Sequence, residues 1–164
     1  MPFLLTQILQ IFTERVYTCD YYPFIYFFYF QDDMTESESI NDITYKIIGC
    51  VYEVYNNLGP GLLESVYEDA LAVELKLRGI NFKRQASLPI IYKNTELNSP
   101  LRIDLFVEDS VVVELKSVET LKSIHYKQVQ TYLKLSEFKI GLLINFNTDN
   151  IKNDIHRIAN KFEE

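Results

Sequence analysis

Three charged residues near the middle of the chain have the types and spacing needed for metal-assisted hydrolysis. Asp104 is followed by Glu114 and, two positions later, by Lys116. The segments that hold them, residues 101–107 and 111–116, are rich in Val, Leu and Ile, which predicts two β-strands. Side chains alternate along a strand, so Glu114 and Lys116 share one face of the second strand.

The apolar residues of these two strands predict how the strands pair. Only one parity of pairing buries both apolar faces together, and it leaves Glu108 to Ser110 as a three-residue loop. The predicted pairs are Val107 with Val111, Leu105 with Val113, Asp104 with Glu114, Ile103 with Leu115 and Arg102 with Lys116. The core pattern therefore brings two carboxylates and a lysine into one patch.

This patch has the chemistry of a cation site. Paired residues lie about 5 Å apart at Cβ, near enough for Asp104 and Glu114 to share a cation. Two carboxylates at this distance repel each other unless a cation or a proton lies between them. Hard oxygen ligands suit Mg²⁺ or Mn²⁺, and Lys116 is placed to position water or to stabilise charge on a phosphoryl group. The competing interpretation is a solvated face with ordinary cross-strand ion pairs.

The elements around the hairpin follow from hydrophobic periodicity and from the positions of Gly and Pro. The predicted elements are helices at 40–58 and 62–78, strands at 82–86, 88–92, 101–107 and 111–116, a helix at 124–135, a strand at 140–146 and a closing helix at 150–162. The order ααββββαβα predicts an α/β fold with a central mixed β-sheet flanked by helices.

The composition describes one acidic globular domain. The chain has 164 residues, of which 48% are hydrophobic, and a formal net charge of −7. Cys19 and Cys50 are far apart and form no CxxC motif, which argues against a zinc ribbon or a disulfide scaffold and favours the cytoplasm. The negative charge favours a small or transient nucleic-acid footprint over tight non-specific coating.

Several motifs in the expected order resemble one nuclease family. Asp104, Glu114 and Lys116 form D-x(9)-E-x-K, the signature of the PD-(D/E)XK nuclease superfamily. Residues 61–67 read GLLESVY and resemble the naming motif of the GxxExxY protein family, a bacterial and archaeal branch of that superfamily. Residues 128–132 read QVQTY and are similar to the QxxxY motif of RecB-like exonucleases. The resemblance covers nearly all of residues 40–160.

The resemblance implies a restriction-endonuclease-like core and a set of site residues. It makes Glu64 the helix carboxylate that completes a metal shell with Asp104, Glu114 and the carbonyl of Leu115, with Lys116 as the catalytic lysine. It implies Mg²⁺ or Mn²⁺ as cofactor. The further substrate-contacting or supporting residues are Tyr67, Arg102, Gln128 and Tyr132. One departure is Tyr55, which stands where the family usually has histidine.

Two functions fit this reading of the sequence. The first is hydrolysis of phosphodiester bonds in DNA or RNA, with a nucleic acid as the partner. The second is a non-catalytic module that keeps the nuclease fold and binds nucleic acid or a protein. Stable membrane insertion is not expected, and apolar helix faces would permit a homodimer.

The first thirty-three residues differ in character from the rest. Residues 21–30 read YYPFIYFFYF, a run too short to span a bilayer as a helix. One interpretation is a segment that docks on a membrane surface or a partner. The interpretation we favour is that translation begins at Met34 and that the reading frame is over-extended upstream. The predicted organisation is an atypical extension at 1–33 and a PD-(D/E)XK nuclease-like domain at 34–164.

Overall fold

The computed structural model describes residues 39–160 of the chain. The aromatic extension predicted at 1–33 lies outside these residues and stays a prediction. Within residues 39–160, no helix combines the length and the apolar character that are needed to cross a bilayer.

Two helices open the described region, as the sequence predicts. Helix α1 (Ile40–Leu58) begins after Ser39, whose hydroxyl accepts a hydrogen bond from the N–H of Asp42. Gly59, at φ 65°, ends this helix in a conformation that favours glycine. Helix α2 (Glu64–Leu77) is followed by Gly79 at φ 68°, the C′ position predicted for it.

A mixed sheet follows the two helices. The remaining elements are β1 (Phe82–Leu88), β2 (Ile91–Tyr92), β3 (Thr95–Glu96), β4 (Leu101–Val107), β5 (Val111–Lys116), α3 (Ser123–Ser136), β6 (Ile140–Asn145), a 3-10 turn (Ile151–Asp154) and β7 (Ile155–Ala159). The five-stranded sheet has the order β1-β4-β5-β6-β7. Only β5 and β6 are parallel, and α3 connects them. This confirms the α/β fold with a central mixed sheet flanked by helices.

The sheet has a core on each face. The first core lies between the sheet and helices α1 and α2, and its residues include Ile47, Val51, Leu71, Leu105, Val113 and Leu115. The second core lies under α3 and includes Ile103, Phe106, Val112, Val129, Tyr132 and Leu143. Burial on both faces explains why β5 and β6 are almost continuous apolar runs.

The closing helix predicted at 150–162 is wrong. A 3-10 turn and strand β7 occupy residues 151–159, and β7 pairs antiparallel with β6. Ile151, Ile155 and Ile158 are spaced by four and three residues, which suggests a helix when the sequence is read alone. In the strand, Ile155 packs against the first core and Ile158 belongs to the second. Pairing with the edge of β6 outweighed the local helical pattern.

The single strand predicted at 88–92 is also wrong. Leu88 is the last residue of β1, and Pro89, which has no N–H to donate, follows it. Residues 91–96 form a separate small hairpin of β2 and β3. Its two-residue turn, Lys93 and Asn94, has positive φ at both positions, as type I′ hairpins require.

The predicted β4–β5 register is correct near the turn and fails near Asp104. The three pairs nearest the turn match the prediction: Val107 with Val111, Phe106 with Val112 and Leu105 with Val113. The ladder ends there, so the predicted pairs Asp104–Glu114, Ile103–Leu115 and Arg102–Lys116 do not form. Ile103 belongs to the second core and Leu115 to the first. At Asp104 the side chain makes the contact with β5, because its carboxylate accepts a hydrogen bond from the N–H of Leu115.

Candidate active site

Glu114 lies at the centre of the candidate site, near the carboxyl end of β5. Glu114 is 1% exposed, and such burial is rare for a residue with a carboxylate side chain. One carboxylate oxygen, Oε1, accepts a hydrogen bond from the ammonium of Lys116. That ammonium also donates to the carbonyl of Leu115, at 3.0 Å. Lys116 therefore joins a buried carboxylate to a backbone carbonyl.

Asp104 reaches the same place from β4. Its Oδ2 accepts a hydrogen bond of 2.9 Å from the N–H of Leu115. The carboxylate is thus tied to the backbone of β5 where the strand ladder has ended. Asp104 and Glu114 are brought together as the sequence predicts, but through this side-chain contact and not through a regular cross-strand pair.

Glu64 reaches the site from α2, of which it is the first residue. Its Oε1 lies 3.8 Å from Nζ of Lys116, and its side chain is 44% exposed. The loop before it is tied to the end of β5, because the Ser117 hydroxyl donates to the carbonyl of Leu62 at 2.6 Å. The structure therefore brings together all four predicted catalytic residues, with Lys116 between Glu64 and Glu114.

Tyr67 holds the loop that carries Glu64 and lies in the core, not on the site surface. Its ring is fully buried and stacks on Phe146 with 4.3 Å between centroids. Its hydroxyl donates to the carbonyl of Gly59 and accepts from the N–H of Leu62. The conformation of the loop from Gly59 to Leu62 thus depends on Tyr67, which gives the tyrosine of the GLLESVY segment a physical role.

The electrostatics of the site disfavour three bare carboxylates. Burial and the charge of Asp104 raise the pKa of Glu114 to about 7. Burial also raises the pKa values of Asp104 and Glu64. Burial works against the charged form of Lys116, but the hydrogen bond and charge of Glu114 outweigh it and raise the pKa of that lysine. The site therefore favours an added positive charge.

The donor set fits a divalent cation by its chemistry. Oε2 of Glu114 is buried and has no hydrogen-bond partner, which is costly unless another group satisfies it. Carboxylates and a carbonyl are the hard oxygen ligands of Mg²⁺ and Mn²⁺. As the side chains stand, no three acidic, His or Cys side chains within residues 39–160 are grouped closely enough to hold a metal. Here the Lys116 ammonium is the cation that lies between Glu64 and Glu114.

The predicted QxxxY pair lies on α3 beside the site. Nε2 of Gln128 donates to the hydroxyl of Tyr132 at 2.8 Å. Tyr132 is buried in the second core, and burial, with the nearby charges of Glu114 and Asp104, raises the pKa of its hydroxyl. Both side chains line a shallow surface pocket of about 250 Å³ that also includes Leu101 and Lys127. The pair therefore borders a surface pocket on α3.

Arg102 is exposed, and the β4–β5 pairing that would place it beside Lys116 does not extend that far.

The departure from the family at Tyr55 has a structural consequence as well. Its hydroxyl donates to the carbonyl of Thr148 at 2.6 Å, and the ring packs against the first core. Tyr55 therefore ties the end of α1 to the loop after β6.

Sequence reasoning missed Glu68 and Gln85, two supporting residues near Asp104. Glu68 is 8% exposed and lies one helical turn after Glu64. Its two oxygens accept hydrogen bonds from Nε of Arg84 and Nε2 of Gln85, both at 2.8 Å. Gln85 Nε2 also lies 3.4 Å from Oδ1 of Asp104. The i, i+4 spacing of Glu64 and Glu68 was a signal in the sequence, whereas the long-range contacts of Gln85 left none.

Asn145 was missed too, and it fixes the chain beyond Lys116. It is 1% exposed, and its side-chain amide makes two hydrogen bonds of 2.9 Å with the backbone of Val118. The N–H of Phe146 donates to the carbonyl of Lys116 at 2.8 Å. The ends of the two parallel strands are thus locked together where Lys116 leaves the sheet.

Comparison with known proteins identifies the family. Residues 41–158 match the PD-(D/E)XK nuclease superfamily. Nothing among curated proteins matches the chain. Among solved structures, the crystal structure of SSO0001 is similar, with 22% sequence identity and a TM-score of 0.47. The aligned region covers 75% of this chain and 60% of SSO0001, so the chain spans less than two thirds of that protein's length. Because the family match covers most of its residues, this chain belongs to the PD-(D/E)XK nuclease superfamily.

Proposed function

We propose that this protein is a metal-dependent nuclease of the GxxExxY branch that hydrolyses phosphodiester bonds in DNA or RNA. The observation that supports it best is Oε2 of Glu114, a buried carboxylate oxygen that has no partner and lies beside Asp104, Glu64 and Lys116. A fold does not keep such an atom without cost, and a divalent cation would satisfy it. Membership of the nuclease superfamily makes a nucleic acid the expected substrate.

Each residue of the site has a role in this proposal. Glu64, Asp104, Glu114 and the carbonyl of Leu115 would hold Mg²⁺ or Mn²⁺, which supplies a Lewis acid and a water of lowered pKa. In the metal-free protein the hydrogen bond and charge of Glu114 raise the pKa of Lys116, which favours its protonated form. A protonated Lys116 would donate a hydrogen bond and present a positive charge to the phosphoryl oxygens. By the resemblance, the products would carry a 5′-phosphate and a 3′-hydroxyl.

Around the site, other side chains would contact the substrate or support the catalytic groups. Gln128 and Tyr132, which line the surface pocket along α3, would contact a phosphate of the substrate strand. Arg102 is exposed on the neighbouring strand and adds a positive charge at that edge. Tyr67 supports Glu64 through the loop it holds.

The alternative is a non-catalytic module that keeps the nuclease fold and binds nucleic acid or a protein. Two observations favour it: the net charge of −7, and the lack, within residues 39–160, of three acidic, His or Cys side chains that are close enough together to hold a metal. It predicts that partner binding is unchanged when the carboxylates are neutralised. The nuclease proposal predicts that the same changes remove metal binding and cleavage.

Three further expectations belong to this proposal. Cys50 is a free, buried thiol, which is compatible with the predicted reducing cytoplasm. A homodimer remains a prediction. So does the organisation of the chain into an aromatic extension at 1–33 and a nuclease-like domain at 34–164.

The direct test is cleavage of labelled single-stranded and double-stranded DNA and RNA with Mg²⁺, Mn²⁺ or EDTA. We expect the parent protein to degrade at least one substrate only when a divalent ion is present. Asp104→Ala and Lys116→Ala should lower the rate by at least 100-fold, since each removes a group that acts on the reacting phosphate. Degradation by these variants at the parent rate would reject the proposal.

A further inference from the structure

Gln85 has a backbone conformation that its residue type does not favour. Its φ is 46°, in the left-handed region that residues other than Gly, Asn and Asp rarely adopt. It lies inside strand β1, where residues on both sides pair regularly with β4. The one missing pair in that ladder is Gln85 with Asp104. Strained residues held in place by a regular surrounding structure are a reason to look for a function.

The two strands change faces at this interruption. Residues 82, 86 and 88 would project from the same face of a regular strand. Instead, Phe82 packs against the first core, whereas Ala86 and Leu88 pack against the second. On β4, Leu105 belongs to the first core and Ile103 to the second. The left-handed residue therefore accompanies a change of face in both strands, and Asp104 lies at the change.

The Gln85 side chain then connects two carboxylates. Its amide nitrogen donates to Oε2 of Glu68 at 2.8 Å and lies 3.4 Å from Oδ1 of Asp104. An amide nitrogen carries two hydrogens, so it can serve both acceptors. Glu68 is itself fixed by Arg84 at its other oxygen. The second oxygen of Asp104 accepts from the N–H of Leu115, so both oxygens of Asp104 face a donor.

We propose that Gln85 is a positioning residue for Asp104. Its left-handed backbone carries the amide between Glu68 and Asp104, and the amide holds the Asp104 carboxylate in the orientation that bonds to Leu115. Glu68 acts as the anchor of the Gln85 amide, and Arg84 fixes its other oxygen. The link from this orientation to cation binding rests on the proposed function. The link from Gln85 to Asp104 does not.

The experiment compares full-length Gln85→Gly and Gln85→Asn with the parent and with Glu137→Gly. Glu137 is the matched control, because it also has positive φ, 61°, but lies at the C-terminal end of α3. Glycine relieves the backbone at either position, and only Gln85→Gly removes the amide. Asparagine keeps the amide and tolerates the backbone, but its side chain is one carbon shorter.

The first readout is metal-free: the amide NMR resonance of Leu115 in EDTA, with Asp104→Asn as reference. We expect Gln85→Gly and Gln85→Asn to remain folded and to move this resonance about as far as Asp104→Asn does. Glu137→Gly should leave it in place. A Leu115 resonance that is unmoved in a folded Gln85→Gly or Gln85→Asn variant overturns the proposal, because Asp104 is then held without Gln85.

The second readout is Mn²⁺ affinity by calorimetry. Loss of a residue that orients a metal ligand typically weakens affinity roughly 10–100-fold, so we expect that loss in Gln85→Gly and none in Glu137→Gly. If the parent itself bound no Mn²⁺, the proposed function would fail, while the EDTA spectra would still decide the role of Gln85. Parent-like Mn²⁺ affinity in Gln85→Gly, beside a metal-binding parent, overturns the positioning role.

Discussion

Glu114 is buried although one of its carboxylate oxygens has no hydrogen-bond partner. Its burial should therefore affect how the stability of the metal-free protein depends on pH. Its pKa is raised from 4.5 to about 7, so between these values the folded protein holds a proton that the unfolded chain releases. The contribution of Glu114 to the free energy of unfolding should therefore be largest below pH 4.5 and should fall as the pH rises through 7. The raised pKa values of Asp104 and Glu64 act in the same direction.

Urea unfolding in EDTA at pH 5 and pH 8 measures this effect. The parent should lose stability between the two values, and Glu114→Gln, which cannot ionise, should lose less. The difference should be on the order of 1–3 kcal/mol, since one pKa unit is worth about 1.4 kcal/mol. Equal losses in the parent and in Glu114→Gln would show that the burial of Glu114 carries no ionisation cost.

Lys116 allows metal binding and hydrolysis to be separated. Its ammonium lies between Glu64 and Glu114, where it neutralises the same carboxylates that a cation would. Lys116→Met should therefore bind Mn²⁺ at least as tightly as the parent in a calorimetric titration, and yet show no detectable cleavage. Lys152→Met, a change at an exposed position of the 3-10 turn, is the control for loss of a positive charge. Loss of Mn²⁺ binding in Lys116→Met would instead make the lysine part of the binding site.

At the scale of elements, the loop before α2 depends on one hydroxyl. Tyr67→Phe keeps the ring stacked on Phe146 but removes the bonds to Gly59 and Leu62. We expect the free energy of unfolding to fall by about 1–3 kcal/mol, because a part-buried donor and acceptor lose their partner. Tyr45→Phe is the control, since Tyr45 is 80% exposed. A Tyr67→Phe protein as stable as the parent would mean that the loop does not need this hydroxyl.

The packing of α3 on β6 depends on the absence of a side chain at Gly141. A Cβ at this position would lie 2.6 Å from Cγ1 of Val129. Gly141→Ala should therefore destabilise the protein by about 1–3 kcal/mol through overpacking. The double variant with Val129→Ala should recover part of that loss beyond additivity in a double-mutant cycle of thermal unfolding. Strict additivity would show that the two positions are not in contact.

The elements also show what the sequence alone can predict. The predicted helix at 40–58 and the pairing of Leu105 with Val113 follow from local periodicity and from the need to bury one face. They predicted that Asp104, Glu114 and Lys116 lie near one another, as they do, although the predicted pair of Asp104 with Glu114 does not form. The failures occur where long-range contacts decide. The β7 segment pairs with β6 in spite of a helical spacing, and the face change at Gln85 depends on Glu68 and Asp104, which are distant in sequence.

At the scale of the whole molecule, the acidic charge limits how the protein binds nucleic acid. With a net charge of −7, most of the affinity for a nucleic acid must come from a local contact and not from the overall field. A footprint of two or three phosphates gives a slope of roughly −2 to −3 when log affinity is plotted against log salt for duplex DNA. Fluorescence anisotropy of Asp104→Asn with labelled duplex DNA at several salt concentrations measures it. A much steeper slope would indicate a wide basic surface.

The central claim is that the oxygens around Glu114 bind a divalent cation. Calorimetric titration of Mn²⁺ into the full-length parent, beside Asp104→Asn and Glu114→Gln, tests this most directly. We predict saturable binding to the parent and its loss in both variants, each of which must be shown to be folded by circular dichroism. Equal heats of binding in the three proteins, or no binding to the parent even when nucleic acid is present, would contradict the claim and favour the non-catalytic module.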